Sequence, residues 1–201
     1  MKRVIVTTTI NAPTEAIRRF DSMKDWHLIV VGDLKTPTDY RLERGTYFSP
    51  AQQEKFDPQL SEALGWNSIQ RRNLGFLMAR ELGAEIIATI DDDNIPKEDW
   101  GKDLLLGREA ECWEYETELP CFEPIGATNE SKLWHRGYPL QLLSSRDYSR
   151  KRRALARTSI QADFWDGDPD VDAVCRMEHA PDCTFDPGCF PFVANQVSPF
   201  N

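Results

Sequence analysis

The stretch A-E-I-I-A-T-I-D-D-D-N-I-P, from Ala84 to Pro96, places an apolar run directly before three acidic residues. Its isoleucines and threonine are β-branched, and such residues favour strands. A short continuous apolar run of this kind predicts a strand that is buried on both faces. Pro96 cannot donate a backbone hydrogen bond to a neighbouring strand, so the strand ends before it. The sequence therefore predicts a buried parallel strand with a highly acidic carboxyl end.

The three carboxylates of Asp91, Asp92 and Asp93 repel one another and resist removal from water. A cation among them relieves both costs. Mg²⁺ or Mn²⁺ fits best, because these hard ions prefer oxygen ligands and are often held by one or two carboxylates plus substrate phosphates. In this interpretation Asp91 and Asp93 hold the ion. The alternative is a solvated acidic turn that caps the following segment.

Composition limits the class of protein. The 201 residues are 40% hydrophobic and 28% charged, as in soluble globular proteins. The net charge of −9 argues against nucleic-acid binding. No apolar run approaches 18 residues and the N-terminus lacks a signal-peptide pattern, so we predict a cytoplasmic protein without a membrane segment. The five cysteines show no C-x-x-C spacing and are expected to be reduced thiols.

Strand and helix patterns alternate along the first half of the chain. Apolar runs predict strands at Arg3 to Ile10, at Trp26 to Val31 and, as a short piece, at Thr46 to Phe48. Helices are predicted from Thr14 to Phe20 and from Asn67, with Gln70 completing a capping box, to Gly83. This alternation indicates an α/β fold, a mostly parallel open sheet of the Rossmann-like type with helices on both faces.

The pattern is weaker beyond Pro96. Residues 109–119 predict an edge strand or a polar loop, and the arginine-rich residues 146–157 a basic helix or loop. We predict one domain over residues 1–201, with two halves at 1–100 and 101–201. The sequence stops without a closing helix, which suggests a domain truncated at its C-terminus.

Polar residues follow each predicted parallel strand, and ligands of open α/β sheets bind at the carboxyl ends of strands. Thr8, Thr9 and Asn11 can bond a planar base, and Asp33 can accept from a base or a ribose hydroxyl. Ordinary turn and cap chemistry is the alternative for each of them. The chain has no glycine-rich phosphate loop, so the metal would hold the phosphates. Arg71 is expected to reach a diphosphate, the alternative being a solvated helix face.

Together these residues predict a nucleoside diphosphate bridged by a divalent ion, which is typical of nucleotide-sugar chemistry. The ion would neutralise charge on a departing diphosphate. W-H-R-G-Y-P, from Trp134 to Pro139, combines aromatic rings, a cation and a rigid turn. It predicts either a sugar pocket or a packed loop.

The same motifs resemble known families. T-I-D-D-D-N (89–94) and R-G-Y-P (136–139) resemble motifs of the reversibly glycosylated polypeptides, which include UDP-arabinopyranose mutases. Further stretches resemble the STELLO glycosyltransferase-like family: T-T-I-N-A-P-T-E-A (8–16), V-V-G-D-L-K-T-P (30–37), W-N-S-I-Q-R-R-N-L-G (66–75), D-V-D-A (170–173) and S-P-F-N (198–201). Both resemblances imply a GT-A-type nucleotide-sugar domain with a divalent ion on the aspartates. In such a domain residues 1–100 form the nucleotide and metal half, and residues 101–201 form the sugar and acceptor half.

The resemblance leaves three interpretations open. The first is a metal-dependent glycosyltransferase with a UDP-sugar donor and a glycan, protein or small-molecule acceptor. In this enzyme Asp92 binds the ion or the sugar, and Arg136 contacts the sugar or its leaving group. The second is a mutase that works through glycosylation of Arg136, although the mutases carry a second arginine where this chain has Leu143. The third is a non-catalytic binding module. The sequence leaves the oligomeric state open, a homo-oligomer included.

Overall fold

A four-stranded parallel sheet organises the first half of the chain, in the order β3-β2-β1-β4. Its strands are β1 (Arg3–Thr9), β2 (His27–Gly32), β3 (Thr46–Phe48) and β4 (Ile86–Thr89). Its helices are α1 (Glu15–Ser22), α2 (Pro50–Phe56), α3 (Pro58–Leu64) and α4 (Arg72–Glu81). The structure, a computed structural model, describes residues 2–198, so the last three residues of the S-P-F-N stretch lie outside the described residues. The chain divides into two compact units, Met1–Trp100 and Gly101–Asn201.

Helices cover both faces of this sheet. Side chains alternate along a strand, and Val4 and Val6 of β1 pack with Ile29 and Val31 of β2 against Leu74 of α4. Helices α2 and α3 add partly buried side chains to the same face. On the other face, α1 contacts β2 and buries its apolar stripe, which consists of Ala16, Ile17 and Phe20. The predicted α/β class and mostly parallel sheet are confirmed, and the architecture fits a GT-A-like fold.

Helix α4 lies unusually close to the sheet at Gly75. A Cβ atom added there would meet Val6 Cγ1 at 2.5 Å and Val31 Cγ2 at 2.7 Å. Both distances are shorter than any real carbon–carbon contact, so the glycine sets how closely the helix approaches β1 and β2.

Two local predictions in this unit are wrong. Strand β4 is not buried on both faces: it pairs only with β1 among the described strands, and Ile87 is 39% exposed. Asn67 does not cap a helix. It adopts a left-handed conformation with φ of 56°, and Ser68 instead caps the short 3-10 turn that leads into α4. An asparagine tolerates this conformation better than most residues.

Helices α2 and α3 were missing from the predicted pattern, because each is short and has little apolar periodicity. Their beginnings are nevertheless marked in the sequence. Ser49 and Gln52 form a capping box at α2, and Asp57 caps α3 by accepting from the backbone N–H of Leu60. A proline occupies the first turn of each helix, where its missing N–H costs nothing.

The second unit contains a mixed sheet in the order β6-β5-β7. Its strands are β5 (Glu109–Tyr115), β6 (Lys151–Arg157) and β7 (Phe192–Ala194), and its one α-helix among the described residues is α5 (Ala173–Glu178). Most of the basic stretch, Lys151–Arg157, is therefore a strand rather than a helix or loop, and residues 146–150 are a loop. Glutamates of β5 and of the segment after it offset part of this charge. Arg152 pairs with Glu114 of β5, and Arg150, just before β6, pairs with Glu116 and Glu118.

A buried carboxylate organises the loops of this second unit. Glu123 is 1% exposed and accepts from the backbone N–H groups of Ile125, Gly126 and His135, and from the Tyr148 hydroxyl. Arg146 supplies the compensating positive charge, with Nη1 at 3.2 Å from Glu123 Oε2. Helices long and apolar enough to cross a bilayer do not occur in residues 2–198.

Candidate functional site

Asp92 joins the carboxyl ends of β1 and β4. Its Oδ2 accepts a hydrogen bond from the Thr9 hydroxyl and another from Asn11 Nδ2, at 3.1 Å. The Thr14 hydroxyl donates to the backbone carbonyl of Asp92, and its oxygen also caps α1 by accepting from Ile17 N–H. Thus the predicted residues Thr9, Asn11 and Asp92 lie together, and three hydrogen bonds, from Thr9, Asn11 and Thr14, join Asp92 to the segment that ends β1 and begins α1.

Arg72 neutralises the neighbouring carboxylate. Its Nη2 lies 2.8 Å from Asp91 Oδ1, and its Nη1 donates to Thr89 Oγ1 at 3.0 Å. The Arg72 side chain is only 15% exposed, and its Nε is buried without a hydrogen-bond partner. A buried guanidinium N–H without an acceptor is costly. Arg72 therefore offers a donor at the place where the aspartates begin.

Asp93 completes the acidic run in a different setting. It is exposed, and its carboxylate has no bonding partner within residues 2–198. In that same range, no three His, Cys, Asp or Glu side chains are grouped closely enough to hold a metal ion by themselves. The structure thus places Asp91, Asp92 and Asp93 in three environments: ion-paired, hydrogen-bonded and free.

Arg71 differs from its predicted role. It is fully buried, and its guanidinium donates to Gln53 Oε1, to Ser61 at both its carbonyl and hydroxyl, and to the Gly65 carbonyl. The ring of Trp66 stacks 3.5 Å from the guanidinium carbon. Arg71 therefore ties α2, α3 and the turn before α4 together and cannot reach a diphosphate. The next residue, Arg72, is the arginine that faces the aspartates.

Asp33 also serves the local backbone. Its carboxylate is 6% exposed and accepts from the N–H groups of Leu34, at 2.6 Å, and Asn67, at 2.9 Å. These bonds hold the left-handed turn at Asn67 against the end of β2. The Thr36 hydroxyl links the same region to β1 by donating to the Thr9 carbonyl at 2.7 Å. Thr8 is partly exposed at the end of β1, next to the residues that hold Asp92.

Tyr40 is a residue that the sequence argument missed. It is 2% exposed, stacks on Tyr47 with ring centroids 4.6 Å apart, and its buried hydroxyl has no hydrogen-bond partner. Burial raises the pKa of Tyr40 far above its usual range, and the negative charge of Asp92 raises it further. The hydroxyl stays protonated and is an unused donor near Asp92. The sequence signal, an aromatic residue in the loop after β2, is too common to have identified it.

Arg136 lies in the second unit, in a tight turn. The Tyr138 N–H donates to the His135 carbonyl at 3.1 Å, and Gly137 has a φ of 86° that favours glycine. The Arg136 side chain is 56% exposed and pairs with Asp170 at 3.1 Å. Tyr138 is 3% exposed, and its hydroxyl lacks a partner. R-G-Y-P therefore forms a turn with a buried tyrosine and an accessible arginine, while Leu143 packs against the apolar core of this unit.

Two curated proteins from Arabidopsis thaliana resemble the chain. They are named probable glycosyltransferase STELLO2 and probable glycosyltransferase STELLO1, and they are 26% and 25% identical to it over 182 residues. The chain is similar to the STELLO proteins. The alignments cover 85% of this chain but 24% of each STELLO relative, so the chain spans about a quarter of their length. No family model matches the chain. The predicted resemblance to the STELLO family is confirmed, whereas the likeness to the mutases stays a prediction.

Proposed function

We propose that this chain is a glycosyltransferase-like domain that binds a UDP-sugar together with Mn²⁺ or Mg²⁺ and donates the sugar to an acceptor. One observation carries the proposal: side chains from two strand ends and from α4 converge on the acidic run, with Thr9 and Asn11 on Asp92 and Arg72 on Asp91. The similarity to proteins named probable glycosyltransferases supports the same function.

The donor set fits a metal that is shared with a substrate. Asp91 has one carboxylate oxygen in its pair with Arg72, and Asp93 is exposed. A site with so few ligands is not a closed metal cage, in agreement with the lack of any group of three metal-binding side chains in residues 2–198. Mg²⁺ and Mn²⁺ accept such sites when phosphate oxygens and water complete the shell. Asp91 and Asp93 would hold the ion, and a bound ion would offset the charge of a departing diphosphate.

The protein's own groups have separate tasks in this proposal. Asp92, fixed by Thr9 and Asn11, keeps the acidic turn in place and leaves its second oxygen for a sugar hydroxyl. Arg72 directs its unpartnered Nε–H toward a diphosphate oxygen and takes the role first assigned to Arg71. Tyr40 donates a hydrogen bond from its buried hydroxyl to the nucleoside, and Thr8 binds the same nucleoside. Because these groups are already held in position, binding orders few of them, and the loss of conformational entropy on binding is small.

Thermal unfolding with UDP tests the proposal. A ligand at 100 times its dissociation constant stabilises a protein by about 2.7 kcal/mol. We expect UDP to raise the melting temperature when Mn²⁺ is present and to have little effect in excess EDTA. GDP under the same conditions controls for recognition of the diphosphate alone. Equal stabilisation by UDP with EDTA would contradict the metal bridge.

The role of Arg136 separates this function from that of a mutase. A mutase that glycosylates Arg136 adds the mass of one sugar to the wild-type chain after incubation with a UDP-sugar. We expect no such mass increase, together with release of UDP from the UDP-sugar. Arg136→Lys loses the guanidinium fork but keeps the charge, and Arg176→Lys is its matched control, since Arg176 is another partly exposed, ion-paired arginine of the second unit. A sugar adduct present in wild type and Arg176→Lys but absent in Arg136→Lys favours the mutase. Binding without UDP release favours a non-catalytic module.

A further inference from the structure

Basic side chains gather at the amino edge of the first sheet, opposite to the edge that carries the aspartates. Parallel strands begin at the same edge, and the residues at or just before the starts of β1, β2 and β3 surround a cleft of about 240 Å³. The cleft is lined by Lys2, Arg3, Lys24, Asp25, Trp26, His27 and Arg44. It therefore lies within a single unit and uses none of the residues assigned to the UDP-sugar site.

The charge of this cleft opposes the charge of the protein. Four lysine and arginine side chains line it against one carboxylate, that of Asp25, in a chain whose net charge is −9. Another nearby acid, Asp21, is 6% exposed and already accepts from the backbone N–H groups of residues 43–45. Lys24 and Arg44 are exposed, and neither side chain bonds to another group in residues 2–198. Lys24 and Arg44 thus add positive charge to the cleft that no described side chain offsets by direct contact.

Two contacts give the cleft a defined floor. Trp26 is 7% exposed, and its ring lies 5.7 Å from the guanidinium carbon of Arg3. His27 is half-buried, with Nε2 at 2.9 Å from Thr46 Oγ1. Lys2 is turned away in part, because its Nζ donates to the Leu82 carbonyl at 2.5 Å. The cationic groups that remain available to a ligand are those of Lys24 and Arg44, with Arg3 stacked beside them.

We propose that this cleft binds a small phosphate-type anion that carries two or more negative charges, such as free pyrophosphate or a phosphate monoester, between Lys24 and Arg44. Arginine forks bind phosphate oxygens in pairs, and a lysine adds a point charge. A phosphate group with at least two negative charges matches the two unpaired cations, Lys24 and Arg44, better than a monocarboxylate does. The small volume of the cleft and the overall negative charge of the chain both disfavour an extended polyanion such as nucleic acid.

His27 supplies a reporter of occupancy. Burial lowers the pKa of His27, and the positive charge of Lys2 lowers it further. An anion bound beside the ring reverses the second effect, so it raises the pKa of His27. The chain has three histidines, His27, His135 and His179. The other two belong to the second unit and serve as internal controls.

The experiment is a pH titration of the three histidines by NMR, on the full chain in excess EDTA, with and without pyrophosphate at constant ionic strength. We expect pyrophosphate to raise the pKa of His27 alone. The double variant Lys24→Ser/Arg44→Ser should bind pyrophosphate at least tenfold more weakly. Lys55→Ser/Arg80→Ser removes the same charge from exposed positions of the same unit and should bind as wild type does.

Three results overturn the proposal: a His27 pKa that pyrophosphate does not change, equal changes at all three histidines, or unchanged pyrophosphate affinity in Lys24→Ser/Arg44→Ser. Asp91→Asn separates this cleft from the proposed UDP-sugar site. If pyrophosphate acts on His27 through the amino-edge cleft, Asp91→Asn responds as wild type does. Loss of the His27 response in Asp91→Asn assigns binding to the acidic edge and also overturns the proposal.

Discussion

The two edges of the first sheet carry opposite charges and differ in how their charged side chains are held. At the carboxyl edge, Asp92 is fixed by Thr9 and Asn11, and Asp91 is paired with Arg72. At the amino edge, the side chains of Lys24 and Arg44 extend without partners in the described part of the chain. Two of the three carboxylates at the carboxyl edge are thus held in position, whereas Lys24 and Arg44 at the amino edge are not held by side-chain bonds within residues 2–198.

This difference predicts two kinds of binding. Groups that are held in place by hydrogen bonds lose little freedom on binding and can select a ligand by geometry. Flexible, exposed cations select by charge, and their attraction is screened strongly by salt. We therefore expect selectivity at the carboxyl edge and salt sensitivity at the amino edge. The following predictions test this contrast, beginning with the largest expected effect.

Neighbouring arginines should separate structural from ligand-binding roles at the carboxyl edge. Arg71→Met removes a buried guanidinium and leaves its acceptors on Gln53, Ser61 and Gly65 without donors. The free energy of unfolding should therefore fall by about 3 kcal/mol or more. Arg72→Met breaks its pair with a half-exposed aspartate and its hydrogen bond to Thr89, so the free energy of unfolding should fall by only about 1 to 2 kcal/mol. Urea unfolding measures both changes. UDP binding should weaken in Arg72→Met, and equal stability loss in the two variants would contradict this division.

Removal of single carboxylates should affect ligand binding more than folding. Asp93→Asn should leave the free energy of unfolding unchanged, because Asp93 has no partner in residues 2–198, yet abolish the Mn²⁺-dependent stabilisation by UDP. Asp91→Asn should also abolish the Mn²⁺-dependent stabilisation by UDP. It should lower the free energy of unfolding by no more than about 1 kcal/mol, through the loss of its pair with Arg72. Asp25→Asn, at the amino edge, is the matched control and should keep the UDP effect. Normal UDP stabilisation in both carboxyl-edge variants would show that the aspartates are only a turn.

The smallest expected effect is at His27. Because the folded-state pKa of His27 lies below its ordinary value of 6.5, the unfolded chain binds the proton more readily. Stability from this residue is present above pH 6.5 and is lost as the pH falls through 6.5 toward the folded-state pKa. Between pH 7.5 and pH 5 the free energy of unfolding should fall less in His27→Gln than in wild type. The difference should be less than about 1 kcal/mol. Urea unfolding at the two pH values measures it, and an identical pH dependence in wild type and variant would contradict the prediction.

Much of the first unit follows from short-range sequence patterns. Continuous apolar runs identified β1 and β2, and Thr14 marked the beginning of α1. The position of the acidic run at a strand end also brought Thr9, Asn11 and Asp92 together as expected, because parallel strands end at one edge.

Other features depend on contacts between distant residues. Arg71 and Arg72 are equally basic in sequence, and only the packing of α2 and α3 buries one and turns the other toward Asp91. The exposure of β4 depends on which strands pair with it, which its apolar composition does not reveal. Tyr40 is identified as a candidate only by the structure, in which its hydroxyl is buried without a hydrogen-bond partner. In the second unit, the basic composition of β6 did not indicate that this segment pairs with β5 as an antiparallel strand.

The contact at Gly75 has a consequence for reading genetic data. Arg72 lies one helical turn before Gly75, so the closeness of α4 to the sheet fixes where its guanidinium meets Asp91. A substitution at Gly75 would push the helix outward and move Arg72 without altering any residue of the site. A screen for variants that lose ligand binding would then recover position 75 as though it were a contact residue. Its apparent importance would reflect a distance between backbones rather than any chemistry of its own.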